Sequence, residues 1–221
     1  MKEGRQMEDR QGSDTAERSQ LERMIAGEVY DPSDPEVAGM LAKAHQLSRD
    51  YNACAESEGE RRNEILSRLL PHQGKGVWLT GPIFFDYGVF TTLGDNVYAN
   101  FNFTVLDVCP VTVGDNVMFG PNVSLLTPLH PLRWQERNLR PHRDGSMFDF
   151  EYGAPITIGS NCWLAGNVTV TGGVTIGEGS VIGAGAVVTH DIPANVLAAG
   201  VPCRVIRDIT EADRLELPAV S

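Results

Sequence analysis

The chain has 221 residues, a net charge of −11, 42% hydrophobic and 21% charged residues. This is an ordinary globular composition, enough for one sizeable domain with a small accessory element. Its acidity argues against nucleic acid or an anionic membrane surface as main partner, and an anionic ligand would need a local basic patch. No apolar run reaches the roughly 18 residues of a membrane-spanning helix. The first 22 residues are polar, lack the apolar stretch of a secretory signal and predict a disordered extension. A cytoplasmic location is expected. Cys54, Cys109, Cys162 and Cys203 form no CxxC pair and read as reduced thiols. Cys109 and Cys162 both fall where the repeat described below takes a small buried residue.

Residues 23–75 predict a helical element. Asp34 precedes Pro35, an N-cap followed by proline at the first helical position. Val37, Met40, Leu41, Ala44, Leu47 and Tyr51 then share one helical face. A second helix is expected over 60–70, burying Ile65, Leu66, Leu69 and Leu70. His45 is expected on the outer face of the first helix and His72 at the end of the second. Gly74 and Gly76 mark the passage into the next part, whose open end the two helices are expected to cover.

From residue 76 to 203 a period of six takes over. LGDNVY (93–98), VGDNVM (113–118) and FGPNVS (119–124) share one form. Ile158, Leu164, Val170, Ile176 and Ile182 recur at intervals of six, each followed by a small residue. A second inward position recurs at Cys162, Val168, Val174, Ser180 and Ala186. Six matches neither the 3.6 of a helix nor the 2 of a strand. It suits a coil with three short faces and a corner after each, which is an all-β solenoid, a parallel β-helix of hexapeptide repeats. The Gly-Asp-Asn triplets suit corners, where glycine and asparagine tolerate positive φ.

The register fails between Leu125 and about Ile156. Ile158 lies 33 residues after Leu125, which is no multiple of six. The segment of about 126–155, rich in proline, arginine and histidine, is expected to loop out from one corner. Long loops on rigid scaffolds often carry function. His142 has no motif around it and reads as structural or solvated. Residues 204–221 leave the repeat as a tail, with a short helix near 208–216.

Four stretches carry a resemblance: MIAGEVYDPSDPEV (24–37), YANFNFTVLDVCPVTVGDNVMFGPNVSLLTPLHPL (98–132), EYGAPITIGSNCWLAG (151–166) and VIGAGAVVTHDIPANVLAAGVPCRVIR (181–207). Together they resemble the maltose/galactoside O-acetyltransferases, a group that includes the nodulation acetyltransferases. The resemblance implies a left-handed β-helix, homotrimers with active sites between neighbouring solenoids, and acetyl transfer from acetyl-CoA to a sugar hydroxyl in a ternary complex, with no metal required.

What the resemblance implies for single residues follows the motifs. His130, in the TPLHP loop, is the expected general base. A sugar hydroxyl does not ionise at neutral pH, so its attack on a thioester needs a base, and imidazole titrates in the right range. Asn100 in YANFN, Asp86 in FFDYG and Glu151 in EYGAP are expected around the acceptor. The resemblance leaves open whether Asp31 or Asp34 also reaches it. Trp163, Gly166, Ala184 and Thr189 are expected along the pantetheine groove, with the backbone N–H near Gly166 as oxyanion donor. Arg204 and Arg207 are expected near the nucleotide phosphates, which guanidinium suits. Many relatives carry lysine after VVT, where this chain has His190.

Three other readings stand beside this one. An aminosugar or another small amine is the alternative acceptor. A non-catalytic scaffold would keep the fold without the activity. A metal-dependent carbonic anhydrase on the same solenoid would need three histidines on one ion.

Overall fold

The computed structural model describes residues 18–218. Of the extension expected over 1–22, residues 1–17 lie outside the described residues. Residues 20–22 belong to the first helix. Ser19 caps α1 (Gln20–Ile25), its hydroxyl accepting from Glu22 N while Glu22 accepts from Ser19 N, a complete capping box. Asp34 caps α2 (Pro35–Asn52), accepting from the backbone N–H groups of Glu36 and Val37. α3 spans Gly59–Leu69 and buries Ile65, Leu66 and Leu69. The apolar faces of α2 and α3 join the interior of the solenoid in one core, with Ala44, Leu47, Tyr51 and Leu70 packed beside Leu79 and Ile83. Arg62 fastens this junction. Its buried guanidinium donates to the carbonyl oxygens of Leu79 (2.7 Å) and Thr80 (2.8 Å) and to the Tyr51 hydroxyl (2.8 Å).

Beyond the helices the chain winds through three parallel walls. The first holds His72–Gln73, Thr91–Leu93, Val111–Val113, Ile156–Ile158 and Thr175–Ile176. The second holds Trp78–Leu79, Tyr98–Ala99, Met118–Phe119, Trp163–Leu164, Val181–Ile182 and Val196–Ala199. The third holds Ile83–Phe85, Phe103–Leu106, Ser124–Leu126, Thr169–Thr171 and Val187–Val188. The tail holds a strand as well as the short helical turn expected near 208–216. Arg204–Asp208 turns back antiparallel onto Val196–Ala199, and only a 3-10 turn, Glu211–Asp213, follows.

The register shows where the hexad rule holds and where it yields. From first to second wall and from second to third, each step is six residues: Thr92, Tyr98, Thr104; Thr112, Met118, Ser124; Thr157, Trp163, Thr169. From the third wall back to the first, the steps differ. They are eight residues from Phe84 to Thr92 and from Thr104 to Thr112, 33 from Ser124 to Thr157, and six from Thr169 to Thr175. All the irregularity sits on one edge.

The regular corners use asparagine as expected. Asn96, Asn116 and Asn161 stack at the first-to-second corner with φ of 56°, 55° and 63°. Their side chains form a ladder, Asn96 Nδ2 to Asn116 Oδ1 (3.1 Å), Asn116 Nδ2 to Asn161 Oδ1 (3.3 Å) and Asn161 Nδ2 to Glu178 Oε1 (3.0 Å). Asn102, Asn122 and Asn167 repeat this at the second-to-third corner (2.9 and 3.0 Å).

On the irregular edge the two longer corners build a second apolar cluster outside the solenoid. It joins Met24, Tyr30 and Val37 to Tyr87, Val108 and Cys109. Cys162 lies in the solenoid core as expected, but Cys109 does not. Its thiol donates to the Met24 carbonyl oxygen (3.3 Å), and burial pushes it up to about 11. Under the same corner, the fully buried Asp107 accepts from Tyr87 N (2.8 Å), Gly88 N (3.1 Å) and Thr91 Oγ1 (2.8 Å). Desolvation outweighs these three donors and lifts its carboxyl to about 6.

Candidate active site

The excluded segment leaves and rejoins the solenoid through a two-stranded ladder. Pro128–Leu129 pairs antiparallel with Tyr152–Gly153, and Leu129 faces Tyr152. His130 follows the outgoing strand and Glu151 precedes the returning one, so the ladder itself sets them opposite each other. Asp149, two residues before Glu151 in the extended chain, points the same way. One ligand atom each from His130, Asp149 and Glu151 lies within 4.8 Å of the others. The nearest carboxylate to the imidazole is Asp149, whose Oδ2 is 3.8 Å from His130 Nδ1.

Glu151 is held from the other side by the N-terminal segment. The backbones of Tyr30 and Glu151 exchange hydrogen bonds (2.9 and 3.2 Å), and the Tyr30 hydroxyl donates to Glu151 Oε2 at 2.7 Å. Tyr30 is almost completely buried. Burial first, then the Glu151 hydrogen bond and charge, push its phenol well above the usual tyrosine range, so it remains a donor. Asp86 joins the group from the longer corner after the third wall. Desolvation raises its carboxyl, with a further push from the Glu151 charge and opposition from His45. His45 Nε2 stands 3.4 Å from Asp86 Oδ1. His45 therefore faces the site, not the outer side of α2.

His142 also has a partner. Its Nε2 lies 3.1 Å from Asp31 Oδ2 and 3.0 Å from Ser33 Oγ, and its ring stacks on Phe148 at 3.8 Å. This contact ties the tip of the excluded segment, a hairpin of Arg140–Pro141 and Met147–Phe148, to the loop before α2. Asp31 is thereby engaged, and Asp34 is engaged as the cap of α2.

The remaining expected residues lie elsewhere. Asn100 stands at the second-to-third corner, its Oδ1 accepting from Phe101 N (2.8 Å). Below it on the same corner come Gly120, Gly166 and Ala184. Among the described residues, the backbone N–H groups of Gly166 and Ala184 have no acceptor. A Cβ on Gly120 would fall 2.6 Å from the Gly166 nitrogen, so glycine at 120 leaves that N–H uncovered. Trp163 projects from the second wall between Met118 and Val181, 46% exposed. Arg204 and Arg207 lie on the returning strand beside that wall. Arg207 is already paired, both terminal nitrogens meeting Asp213 at 2.8 and 2.6 Å. Thr189 belongs to the third-to-first edge with His130, and its hydroxyl is 2.9 Å from His190 Nδ1.

One chain thus brings His130, Asp86 and Glu151 to one edge, with Asp149 and Tyr30 as partners that the sequence reading missed. Asn100, Gly166 and Ala184 sit at the next edge. Asp149 had a signal in its two-residue offset from Glu151. The Tyr30–Glu151 contact spans 121 positions and had no local one. Within one chain the described residues bring one imidazole, His130, together with two carboxylates, Asp149 and Glu151.

Residues 23–74 match the family model described as the maltose acetyltransferase hexapeptide capping motif, and residues 155–190 match that of the bacterial transferase hexapeptide (six repeats). The galactoside O-acetyltransferase of Escherichia coli is 41% identical over 193 residues, covering 87% of this chain and 91% of the relative. The chain belongs to the galactoside/maltose O-acetyltransferase family. Its fold agrees: a maltose O-acetyltransferase from Clostridium difficile superposes with a TM-score of 0.81 at 41% identity, covering 88% of this chain and 99% of the other. A galactoside acetyltransferase in complex with coenzyme A also gives 0.81, at 40% identity, covering 89% and 94%. Membership makes the protein an acyltransferase of the hexapeptide-repeat type.

Proposed function

We propose that the protein moves acetyl from acetyl-CoA to a hydroxyl of a sugar by direct attack, with His130 as general base. The observation that carries this is the alignment of His130 against Asp149 and the anchored Glu151 on one edge, beside uncovered backbone donors on the next. Asp149 on the Nδ1 side favours the tautomer that carries its proton there. That leaves Nε2 to accept the proton of the acceptor hydroxyl, while the carboxylate stabilises the imidazolium that results. Glu151, fixed by Tyr30, and Asp86, fixed by His45, offer acceptor oxygens to the hydroxyls of a neutral polyol. No acyl-enzyme is needed, and the thiols of Cys109 and Cys162 are buried and raised by desolvation, which leaves them poor nucleophiles.

The residues at the second-to-third corner fit the amide-bearing arm of coenzyme A. Successive coils place the unpaired Gly166 and Ala184 N–H groups one strand spacing apart, about 4.8 Å, as donors to such an arm. Trp163 flanks them, and Arg204, the less encumbered of the two arginines, offers charge to phosphate. Acetyl-CoA supplies the activated acyl group as a thioester. The Gly166 N–H is the donor for charge that develops on the carbonyl oxygen. Since one chain holds the base and the donors on different edges, a complete site joins the edge of one copy to that of its neighbour. This supports a homotrimer with three equivalent sites. Cytoplasmic location is part of the same reading, since acetyl-CoA is an intracellular metabolite.

The test is CoA release from acetyl-CoA with glucosides, galactosides, maltose and aminosugars, for the wild type and His130→Ala. Turnover with one sugar class and a loss of at least about a hundredfold in kcat for the variant, with CoA binding intact, is expected. Turnover only with amines would replace the acceptor class. Binding of CoA without any turnover would overturn the sugar reading.

A further inference from the structure

A groove runs between α2 and the third wall and reaches Asp86. It encloses about 310 Å3 and is lined by His45, Ser48, Arg49 and Asn52 from α2, by Phe84, Phe85 and Leu106 from the third wall, and by Asp86 from the corner after it. The size falls at the lower end of the range for small-molecule sites. Its two sides differ in chemistry. Phe84, 47% exposed, and the half-buried Leu106 make an apolar floor. His45, Ser48 and Arg49, at helical spacing, make a polar rail above it.

Ser48 is the unusual member. It is 4% exposed, and its Oγ has no hydrogen-bond partner. A helical serine commonly turns its hydroxyl to the carbonyl four residues earlier, and a buried hydroxyl left unpaired is destabilising. The neighbouring polar groups are already occupied. Asn52 exchanges hydrogen bonds with the backbone of Ile83 (2.7 and 2.8 Å) and closes one end. Arg49 is held by Gln46 Oε1 (2.8 Å). At the other end His45 and Asp86 face each other at 3.4 Å. The Ser48 hydroxyl is therefore a buried, unpaired donor and acceptor on the same groove as the exposed Phe84 ring.

We infer that this groove is a second acceptor subsite, which holds the neighbouring pyranose of a disaccharide whose adjoining ring is acetylated at His130. The inference rests on the sugar reading above. A pyranose has an apolar C–H face and a rim of hydroxyls, and the groove presents a phenyl floor and a hydroxyl-binding rail in that arrangement. Asp86 lines the groove and its carboxyl feels the Glu151 charge, which assigns it the place between the two rings. The carboxylates at this end select a neutral sugar over an anionic one.

The experiment compares kcat/KM for a methyl glycoside and for the matching disaccharide in the wild type, Ser48→Ala and Phe84→Ala, together with melting temperatures. The wild type is expected to favour the disaccharide at least tenfold. Phe84→Ala should lower that preference at least fivefold and Ser48→Ala about threefold, in both cases through KM. Ser48→Ala should melt no lower than the wild type, because it removes an unpaired buried hydroxyl; it carries the test should Phe84→Ala fold poorly. An unchanged preference in Ser48→Ala and in folded Phe84→Ala overturns the subsite, while methyl-glycoside turnover leaves the sugar reading standing. Absence of turnover with either acceptor in the wild type overturns both.

Discussion

Asp149→Asn keeps the shape of the side chain and removes the charge facing His130 Nδ1 at 3.8 Å. At that distance two unit charges interact by about 1 kcal/mol in bulk water and by about 4 kcal/mol at an effective dielectric near 20. The two side chains are 44% and 30% exposed, so solvent screening holds the interaction toward the lower figure, about 1–2 kcal/mol. The charge matters most once the imidazole has taken the acceptor proton, so the loss belongs to the transition state. It amounts to about fivefold to thirtyfold in kcat, well short of the loss expected for His130→Ala. CoA release at saturating acceptor, measured at low and high ionic strength, checks this. The gap between variant and wild type should narrow with salt, because an exposed pair is screened. A loss equal to that of His130→Ala, insensitive to salt, would refute the reasoning and make Asp149 the group that holds the ring in place. No loss at all would remove Asp149 from the reaction.

Two further outcomes concern stability. Asn116 holds φ at 55° and sits between Asn96 and Asn161 in the corner ladder. Asn116→Ala loses both side-chain hydrogen bonds and meets the left-handed penalty, together about 2 kcal/mol, whereas Asn116→Gly avoids the strain and costs about 1 kcal/mol less. Urea midpoints in the order wild type, glycine, alanine are expected; alanine above glycine would mean that the positive φ does not penalise a Cβ there, and a glycine variant equal to wild type would mean that the ladder does not stabilise the corner. Asp107 carries a folded-state carboxyl raised to about 6. A raised folded value means the native state binds the proton more tightly, so this group's contribution is full below about pH 4 and is lost as pH rises through about 6. The loss is about 2–3 kcal/mol. The stability difference between Asp107→Asn and wild type should therefore move in favour of the variant across that window, measured by urea unfolding at pH 4.5 and 7.5. A difference independent of pH would show that the carboxyl does not titrate there.

The solenoid was legible because its rule is local. A large aliphatic every six residues, a small residue beside it and asparagine at corners describe Ile158 to Ile182 without knowledge of any distant contact. The helix caps were legible for the same reason, since Asp34 and Pro35 act within four residues of each other. Candidate site residues came only from motifs that resemble a family, which named His130, Asp86, Glu151, Asn100 and Gly166; their distribution over two edges of the coil is a feature of the folded chain. What remained hidden depends on packing across long separations. His45 reads as an outward residue on its helix, yet α2 lies over the third wall and turns that face toward Asp86. Cys109 fits a small-residue position in the sequence pattern, but the two additional residues in its corner carry it out of the solenoid to Met24. His142 has no motif, and its pairing with Asp31 needs both the hairpin and the N-terminal loop to be folded.

The placement of those additional residues follows from the backbone. Each coil hydrogen-bonds to the coils above and below it, so a change of length within a wall would shift every later side chain between inside and outside. A corner can absorb extra residues without that shift, provided the same corner takes them and the six-residue steps elsewhere survive. Here the third-to-first edge takes steps of eight, eight and 33 residues while the two other edges keep six. The same edge therefore collects Asp86, Asp107, His130, Asp149 and Glu151, as well as the helices that pin them. On the proposed reading the acceptor side uses the part of the coil that tolerates variation, and the donor side, with the uncovered Gly166 and Ala184 N–H groups, uses a corner whose geometry the repeat holds fixed. A hexapeptide acyltransferase can in this way reshape its acceptor pocket by changing one edge while the backbone donors for a common acyl carrier remain where the solenoid puts them.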